Sequence, residues 1–142
     1  MNGEIPCHKI WEDKKHIAFL SIFPNTEAFS VIITRKHYSS YAFDLDDNIL
    51  GELVLAAKKV GKLLDKKLDD VGRTGMIFEG FGVDHVHAKL FPMHGTKSVK
   101  EWKEIKSNVN KYFREYEGYI SSHDYMREDD NKLKKLAEKI RN

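Results

Sequence analysis

The stretch of sequence that decides this fold is His85-Val86-His87-Ala88-Lys89-Leu90-Phe91-Pro92. Polar and apolar residues alternate along it, and a period of two is typical of a β-strand. The two imidazoles and the ammonium then share one face of the strand, while Val86, Ala88 and Leu90 fill the other. Two imidazoles and an ammonium side by side make a poor core and a good anion site. The simpler alternative is a strand edge whose polar face is solvated.

The residues before this strand predict a partner strand and a glycine loop. Met76-Ile77-Phe78-Glu79 is strand-like and follows the turn Gly72-Arg73-Thr74-Gly75. The loop Gly80-Phe81-Gly82-Val83-Asp84 carries two glycines, which let a ligand approach the backbone closely. Two strands joined by so short a loop are expected to pair antiparallel.

Further strands and a helix are predicted in the first half of the chain. Residues 15–21 and 28–34 are β-rich and are separated by the turn Pro24-Asn25-Thr26. Asp44–Asp47 supplies an N-cap and acidic charge for a helix whose leucines continue at helical spacing to Leu68. Lysines crowd its later turns, and a solvated face that complements the helix dipole explains them better than a nucleic-acid patch does.

The C-terminal third predicts two further helices. Ser98-Val99-Lys100-Glu101 has the pattern of a capping box that opens a second main helix. A short terminal helix follows near the end of the chain, and residues 118–127 between them either connect the helices or close over a site. The expected buried stripe of the second helix is Val99, Trp102, Ile105, Val109, Phe113 and Tyr116, and that of the terminal helix is Leu133, Leu136, Ala137 and Ile140; the intervening segment carries Ser121, Ser122, His123 and Arg127.

Composition sets limits on the class of protein. A length of 142 residues suits one domain with a sizeable core. The 24 basic and 22 acidic residues nearly balance, so no specific nucleic-acid partner is expected. The single cysteine, Cys7, excludes an internal disulfide and a Cys-x-x-Cys zinc clamp. Without an apolar run of about 20 residues or signal-peptide features at the start, we expect no membrane association and a cytoplasmic location.

The motif and several blocks around it resemble one known family. His85–Phe91 resembles the His-φ-His-φ-His-φ-φ signature of the histidine triad (HIT) nucleotidyl hydrolases and transferases, and Gly3–Asp13, Ile17–Leu20 and Ile32–His37 follow the family's other blocks in order. The resemblance covers residues 3–95. It implies an α+β, HIT-like fold: an antiparallel five-stranded sheet with two main helices and a helical C-terminal extension. Residues 1–97 would form the nucleotide-binding core and residues 98–142 the extension of the same domain, with the chain a homodimer.

The resemblance also implies roles for the residues of the motif. His87 would be the nucleophile that attacks phosphorus, and His85 would support it through hydrogen bonding. Lys89 stands where the family places its third histidine, facing the scissile phosphate. Backbone N–H groups of Gly82 and Val83 would hold a phosphate oxygen.

Three predicted substrate-binding residues, Phe19, Ser21 and Ile22, complete the set that the resemblance implies. Ser21 occupies the position of the family's ribose-binding aspartate, so a charged bidentate acceptor is missing. The family's Gly-His-Thr-Leu corresponds here to Ala28–Val31, and its Gln-Ser to Phe81-Gly82. These departures indicate a shifted substrate or an attenuated enzyme.

Lys89 is the departure with the clearest chemical consequence. Its ammonium is expected to lower the pKa of His87 and to keep the nucleophile neutral. It is a weaker acid than an imidazolium, so it favours leaving groups that depart as anions, as in phosphoanhydrides.

The sequence therefore predicts a nucleoside-phosphate hydrolase or nucleotidyl transferase that works through a covalent nucleotidyl-His87 intermediate. No cofactor is required, although magnesium can accompany a polyphosphate substrate. One alternative is a dimeric scaffold that binds a nucleotide with weak or no catalysis. Another is a zinc site at His85 and His87, which the ammonium of Lys89 disfavours, so no metal ligand is predicted.

Overall fold

The fold is an antiparallel sheet covered on one face by two helices. The structure is a computed structural model, which describes residues 7–97, 102–108, 110, 112–117 and 126–142. Within these residues, the five strands are β1 (Lys9–Glu12), β2 (His16–Leu20), β3 (Ser30–Thr34), β4 (Thr74–Ile77) and β5 (His87–Pro92), and the helices are α1 (Asp47–Lys67) and α2 (Asp130–Arg141), with a short 3₁₀ turn at Ala42–Asp44. The sheet order is β1-β2-β3-β5-β4, with every neighbouring pair antiparallel. The expected α+β class and five-stranded antiparallel sheet are confirmed.

Local sequence explains where the main elements begin. Asp46 caps α1 by accepting a hydrogen bond from the backbone N–H of Asn48 at 2.9 Å. Strand β3 begins at Ser30, two residues later than its apolar run, because Ala28 has a left-handed backbone with φ of 65° that belongs to the preceding turn. β5 likewise begins at His87 rather than His85, and β4 ends at Ile77, before Glu79. The prediction of an antiparallel β4–β5 pair is confirmed.

The core lies between one sheet face and the helices. Ile32 and Ala88 are paired across β3 and β5 and are completely buried, as is Leu53 of α1. Burial of each leucine or isoleucine of this kind contributes about 1.5–3 kcal/mol. The terminal helix α2 forms as its spacing predicts and buries Leu133, Ala137 and Ile140 in the same core.

The prediction of a second main helix from residue 98 onward is wrong for the part of that segment that the structure describes. Residues 102–108, 110 and 112–117 contain no helix, and the Trp102 and Ile105 side chains are 76% and 70% exposed. A helix in water depends on packing of its apolar face, and these side chains have no such packing. The capping box at residues 98–101 and the segment 118–125 lie outside the described residues. The second helix of the fold is instead α2.

The lysines of α1 lie on its exposed surface or at its C-terminal end, as a solvated face requires. Lys66 and Lys67 occupy the last turn, where their charge complements the helix dipole. Among the described residues, no helix is long and apolar enough to cross a membrane.

Candidate active site

The candidate site lies on the sheet face that points away from α1. Phe19, Val31 and Lys89 form one cross-strand row of this face, and Ile33 pairs with His87 in the adjacent row. The alternation of the sequence thus places buried alanines and leucines on the inner face and the two cationic or titratable side chains on the outer one. A cavity of about 370 Å³ opens above these rows.

The cavity brings together seven of the eight predicted site residues. It is also lined by three apolar residues of strand β3 and the turn before it, which depend on register and were not predicted. The lining consists of Phe19, Ser21, Gly82, Val83, His85, His87 and Lys89, together with Phe29, Val31 and Ile33. Ile22 does not line the cavity, because its side chain packs against the core instead. The site therefore has an apolar floor and a charged wall, the usual character of a nucleotide-sized pocket.

His87 is held in one orientation by the backbone. Its Nδ1 donates to the carbonyl oxygen of His85 at 2.7 Å, and the residue is only 8% exposed. In the neutral ring this bond places the proton on Nδ1, so the lone pair lies on Nε2. A hydrogen bond between the two residues is thus observed, but it is made by the His85 carbonyl rather than by its imidazole, and the support of a nucleophile by His85 stays a prediction.

The electrostatic surroundings lower the pKa of His87 below its ordinary value. Burial is the largest cause, and the charge of Lys89 adds to it, while the bond to the His85 carbonyl and the carboxylate of Glu79 act in the opposite direction. The expected lowering by Lys89 is therefore present as a secondary contribution. A neutral imidazole is the form that can act as a nucleophile.

The His85 imidazole connects the site to β3. Its Nε2 donates to the carbonyl of Thr34 at 2.7 Å, and its ring meets the His37 ring in a T-shaped contact with 5.2 Å between ring centroids. His37 Nε2 in turn donates to the carbonyl of Asp84 at 2.8 Å. These contacts fix the segment immediately before His87 from two sides. His37 was visible in the sequence only as part of the family-like block, without a predicted role.

The glycine loop is anchored to the segment after β3. The carboxylate of Asp84 accepts from the backbone N–H of Ser40 at 2.9 Å, and Gly80 adopts φ of 78° in close proximity to Ser40. Gly82 and Val83 lie between these anchor points and are exposed to the cavity. The loop can therefore present backbone groups to a ligand without support from Gln or Ser side chains.

Ser21 lies at the apolar end of the cavity. Its hydroxyl accepts a hydrogen bond from the backbone N–H of Phe23 at 3.1 Å, and its own N–H donates to the carbonyl of Phe29 at 2.9 Å. The hydroxyl proton can still be donated to a ligand, but the local turn already uses part of its acceptor capacity.

Glu79 neighbours one lining residue of the cavity, which the sequence did not reveal. Its Oε2 lies 3.9 Å from Nζ of Lys89, and the two side chains are 11% and 13% exposed. The pair forms between a residue two positions beyond β4 and the middle of β5, so it depends on strand register. No group of three His, Cys, Asp or Glu side chains suited to a metal ion occurs among the described residues.

Comparison with known proteins identifies relatives of this chain. The model of the HIT domain family matches residues 2–96. An uncharacterised HIT-like protein of Methanocaldococcus jannaschii is 29% identical over 124 residues, which is 83% of this chain and 95% of that protein. The adenosine 5'-monophosphoramidase of Saccharomyces cerevisiae is 32% identical over 113 residues, or 78% of this chain and 71% of the enzyme.

A solved structure agrees at the level of the fold. The crystal structure of a hypothetical histidine triad nucleotide-binding protein from Sulfolobus tokodaii has a TM-score of 0.70 at 19% identity, with 99% of this chain and 85% of that chain covered. At this identity the likeness concerns the fold alone.

Proposed function

This chain belongs to the HIT domain family, and on that premise we propose that it is a nucleoside-phosphate hydrolase or nucleotidyl transferase. The observation that carries the proposal is the orientation of His87: its Nδ1–H is fixed by the His85 carbonyl in a nucleotide-sized cavity beside Lys89. Its relatives include enzymes named adenosine 5'-monophosphoramidases, which supports phosphorus chemistry on a nucleotide.

The proposed reaction proceeds in two displacements. Nε2 of His87 attacks the phosphorus of the substrate, an N–P bond forms, and the leaving group departs with the electron pair of its bond to phosphorus. The oxygen of water, or of another acceptor, then attacks the same phosphorus. The N–P bond breaks, Nε2 regains its lone pair, and the proton of the acceptor passes to solvent.

In this proposal Lys89 neutralises charge on the transferred phosphate, and backbone N–H groups of Gly82 and Val83 hold one of its oxygens. Phe19 and the apolar floor receive the base, and Ser21 contacts the ribose. No cofactor is required, and magnesium can accompany a polyphosphate substrate. Phosphoanhydrides are the proposed substrate type, because an ammonium assists an anionic leaving group without giving up a proton.

Covalent trapping tests the proposal. The protein is screened with mononucleotide phosphoramidates, dinucleoside polyphosphates and nucleotide sugars, and quenched samples are analysed by intact-mass and peptide mass spectrometry. A nucleotidyl adduct on His87 is expected, and His87→Ala is expected to abolish both the adduct and turnover. His85→Ala should weaken activity less, because the carbonyl that orients His87 belongs to the backbone and remains.

Full activity in folded His87→Ala would refute the covalent mechanism. Nucleotide binding without any turnover in the wild-type protein would instead support the alternative function, a nucleotide-binding scaffold with weak or no catalysis. Circular dichroism of each variant confirms that its fold is intact.

We also propose that the protein is a homodimer. Strand β4 is an edge of the sheet, Met76 on it is 43% exposed, and Leu55 of α1 is 60% exposed. A strand at the edge of the described sheet and an apolar helix surface are features that a second copy can cover. A stable pair needs burial on the order of 1,500 Å² or more. Sedimentation that shows only monomer at micromolar concentration would refute this assembly.

A further inference from the structure

Glu79 places a buried negative charge beside the lysine of the cavity wall. Ile77 pairs with Lys89 in the β4–β5 ladder, so Glu79, two residues further on, lies alongside the His87–Lys89 segment. Oε2 of Glu79 is buried and has no hydrogen-bond donor among the residues that the structure describes. A carboxylate oxygen in this state is held by the charge of its neighbour and not by a network of its own.

The contact between the two charges is an ion pair without a hydrogen bond. The separation of 3.9 Å between Oε2 and Nζ lies within Coulombic range but exceeds a hydrogen-bond distance. Lys89 also lines the cavity, so its ammonium can meet a ligand there with a carboxylate oxygen of opposite charge 3.9 Å away. The opposite effects of Glu79 and Lys89 on the pKa of His87 indicate that both charges act on the reacting end of the cavity.

We propose that Glu79 is a specificity-determining residue that selects a monoanionic phosphorus group over a dianionic one. Internal phosphates of anhydrides and esters carry one negative charge, whereas a terminal phosphate carries up to two at neutral pH, because its second pKa is about 6. A Lys89–Glu79 pair without net charge can still receive the first kind through the ammonium, but it offers no net attraction for the second charge of the other. This inference rests on the proposed nucleotide-binding function and specifies its substrate class.

The selection has a consequence for turnover. A nucleoside monophosphate product is a dianion above its second pKa of about 6, so Glu79 weakens its binding after hydrolysis. Lys89 alone would hold that product most tightly, since Coulomb attraction grows with the charge of the ligand.

A four-protein cycle tests the proposal by binding, without reference to activity. Isothermal titration calorimetry measures the affinity for AMP, a dianion, and for the 5'-methyl ester of AMP, a monoanion with the same base and ribose. The proteins are the wild type, Glu79→Gln, Lys89→Met and the double variant. The quantity compared is the ratio of the two affinities, so a loss that affects both ligands equally cancels.

The expected order of the AMP-to-ester affinity ratio follows the charge of the pair. Glu79→Gln leaves a net positive charge and should raise the ratio about tenfold, and Lys89→Met leaves a net negative charge and should lower it by about the same factor. The double variant is neutral, like the wild type, and should return close to the wild-type ratio. It also controls for instability, because both charges are removed from it together.

The outcomes separate this inference from the proposed function. Equal ratios in wild type and Glu79→Gln, with both ligands bound, would overturn the role of Glu79 and leave nucleotide binding intact. Wild-type protein that binds neither ligand would overturn the proposed function for adenine nucleotides and this inference with it. A ratio that follows the order stated above supports both.

Discussion

Gly80→Ala should destabilise the protein and disturb the loop that faces the cavity. Gly80 has φ of 78°, a backbone conformation that costs an L-residue about 1–2 kcal/mol. A Cβ at this position would also lie 2.9 Å from the carbonyl oxygen of Ser40, which is a backbone atom and cannot rotate away. Relief of such overpacking typically costs a further 1–3 kcal/mol. The reduced entropy of the unfolded chain offsets about 0.4–1 kcal/mol, so a net loss of about 1–4.6 kcal/mol, centred on about 3 kcal/mol, is expected.

Two other glycines provide matched controls for the two causes. Gly95 has φ of 81°, but an added Cβ would have nothing within 4 Å of it, so Gly95→Ala isolates the backbone strain at about 1 kcal/mol. Gly82 lies in the same loop as Gly80, with open space around it and no left-handed φ, so Gly82→Ala should change stability by less than about 0.5 kcal/mol.

Urea unfolding followed by circular dichroism measures all three changes, with the slope m checked for constancy. Because Gly80 lies against the Ser40 that anchors Asp84, Gly80→Ala should also raise KM for any substrate that the loop binds. A Gly80→Ala protein that loses no more stability than Gly95→Ala would refute the contact argument, and one as stable as wild type would refute the strain argument as well.

Three further predictions concern charge. Burial, and to a smaller extent the charge of Lys89, lower the pKa of His87, so the midpoint of the acid limb of kcat/KM against pH should lie below about pH 6.5. Lys89→Met should move this midpoint to higher pH, and an unchanged midpoint would contradict the role of Lys89. Lys89→His should shift preference from phosphoanhydrides toward phosphoramidates, whose amines need a proton; equal kcat/KM ratios before and after would refute this. Burial lowers the pKa of His94, but hydrogen bonds to the Glu27 carbonyl and the Asp70 carboxylate raise it above its ordinary value. The stabilisation from the charged ring is therefore complete below about pH 6.5 and is lost as the pH rises through the raised pKa. His94→Ala should cost more stability at about pH 6 than at about pH 9 in urea unfolding, and an equal cost at both would contradict this prediction.

The strands and α1 could be predicted from the sequence because their signals are local. Alternation along residues 85–92, the cap at Asp46 and the turn after β2 each depend on neighbouring residues only. Strand ends were less predictable. Ala28 and His85 fit the apolar or alternating pattern of the strands that follow them, yet neither residue takes part in strand pairing.

The C-terminal part shows what periodicity alone cannot establish. Trp102 and Ile105 have the spacing of a helix stripe, but a stripe stabilises a helix only when another surface covers it. In the described residues α1 and α2 already cover the inner face of the sheet, and both side chains remain exposed. The sequence shows the apolar stripe but not whether another surface covers it, so the spacing alone could not distinguish a packed helix from an exposed segment.

The candidate site was predictable in its motif and not in its surroundings. His85, His87 and Lys89 are close in sequence, and the period of two placed the last two on one face. Ile33 and Val31 reach the cavity only through the β3–β5 register, and Glu79 meets Lys89 only because β4 pairs with β5. Contacts of this kind are set by strand pairing across long sequence separations, which a single sequence does not specify.

The charged pair distinguishes this face of the sheet from an ordinary solvated surface. A lysine with 13% exposure loses most of its hydration, and the nearby carboxylate of Glu79 offsets part of the several kcal/mol that burial of its charge costs. Yet the pair is too long for a hydrogen bond, and one carboxylate oxygen has no donor among the described residues. A pair selected for stability alone would close that gap or be replaced by apolar side chains. In the proposed function, this geometry places the ammonium on the wall of the cavity, beside an imidazole whose pKa burial lowers, where the phosphate of a substrate would bind.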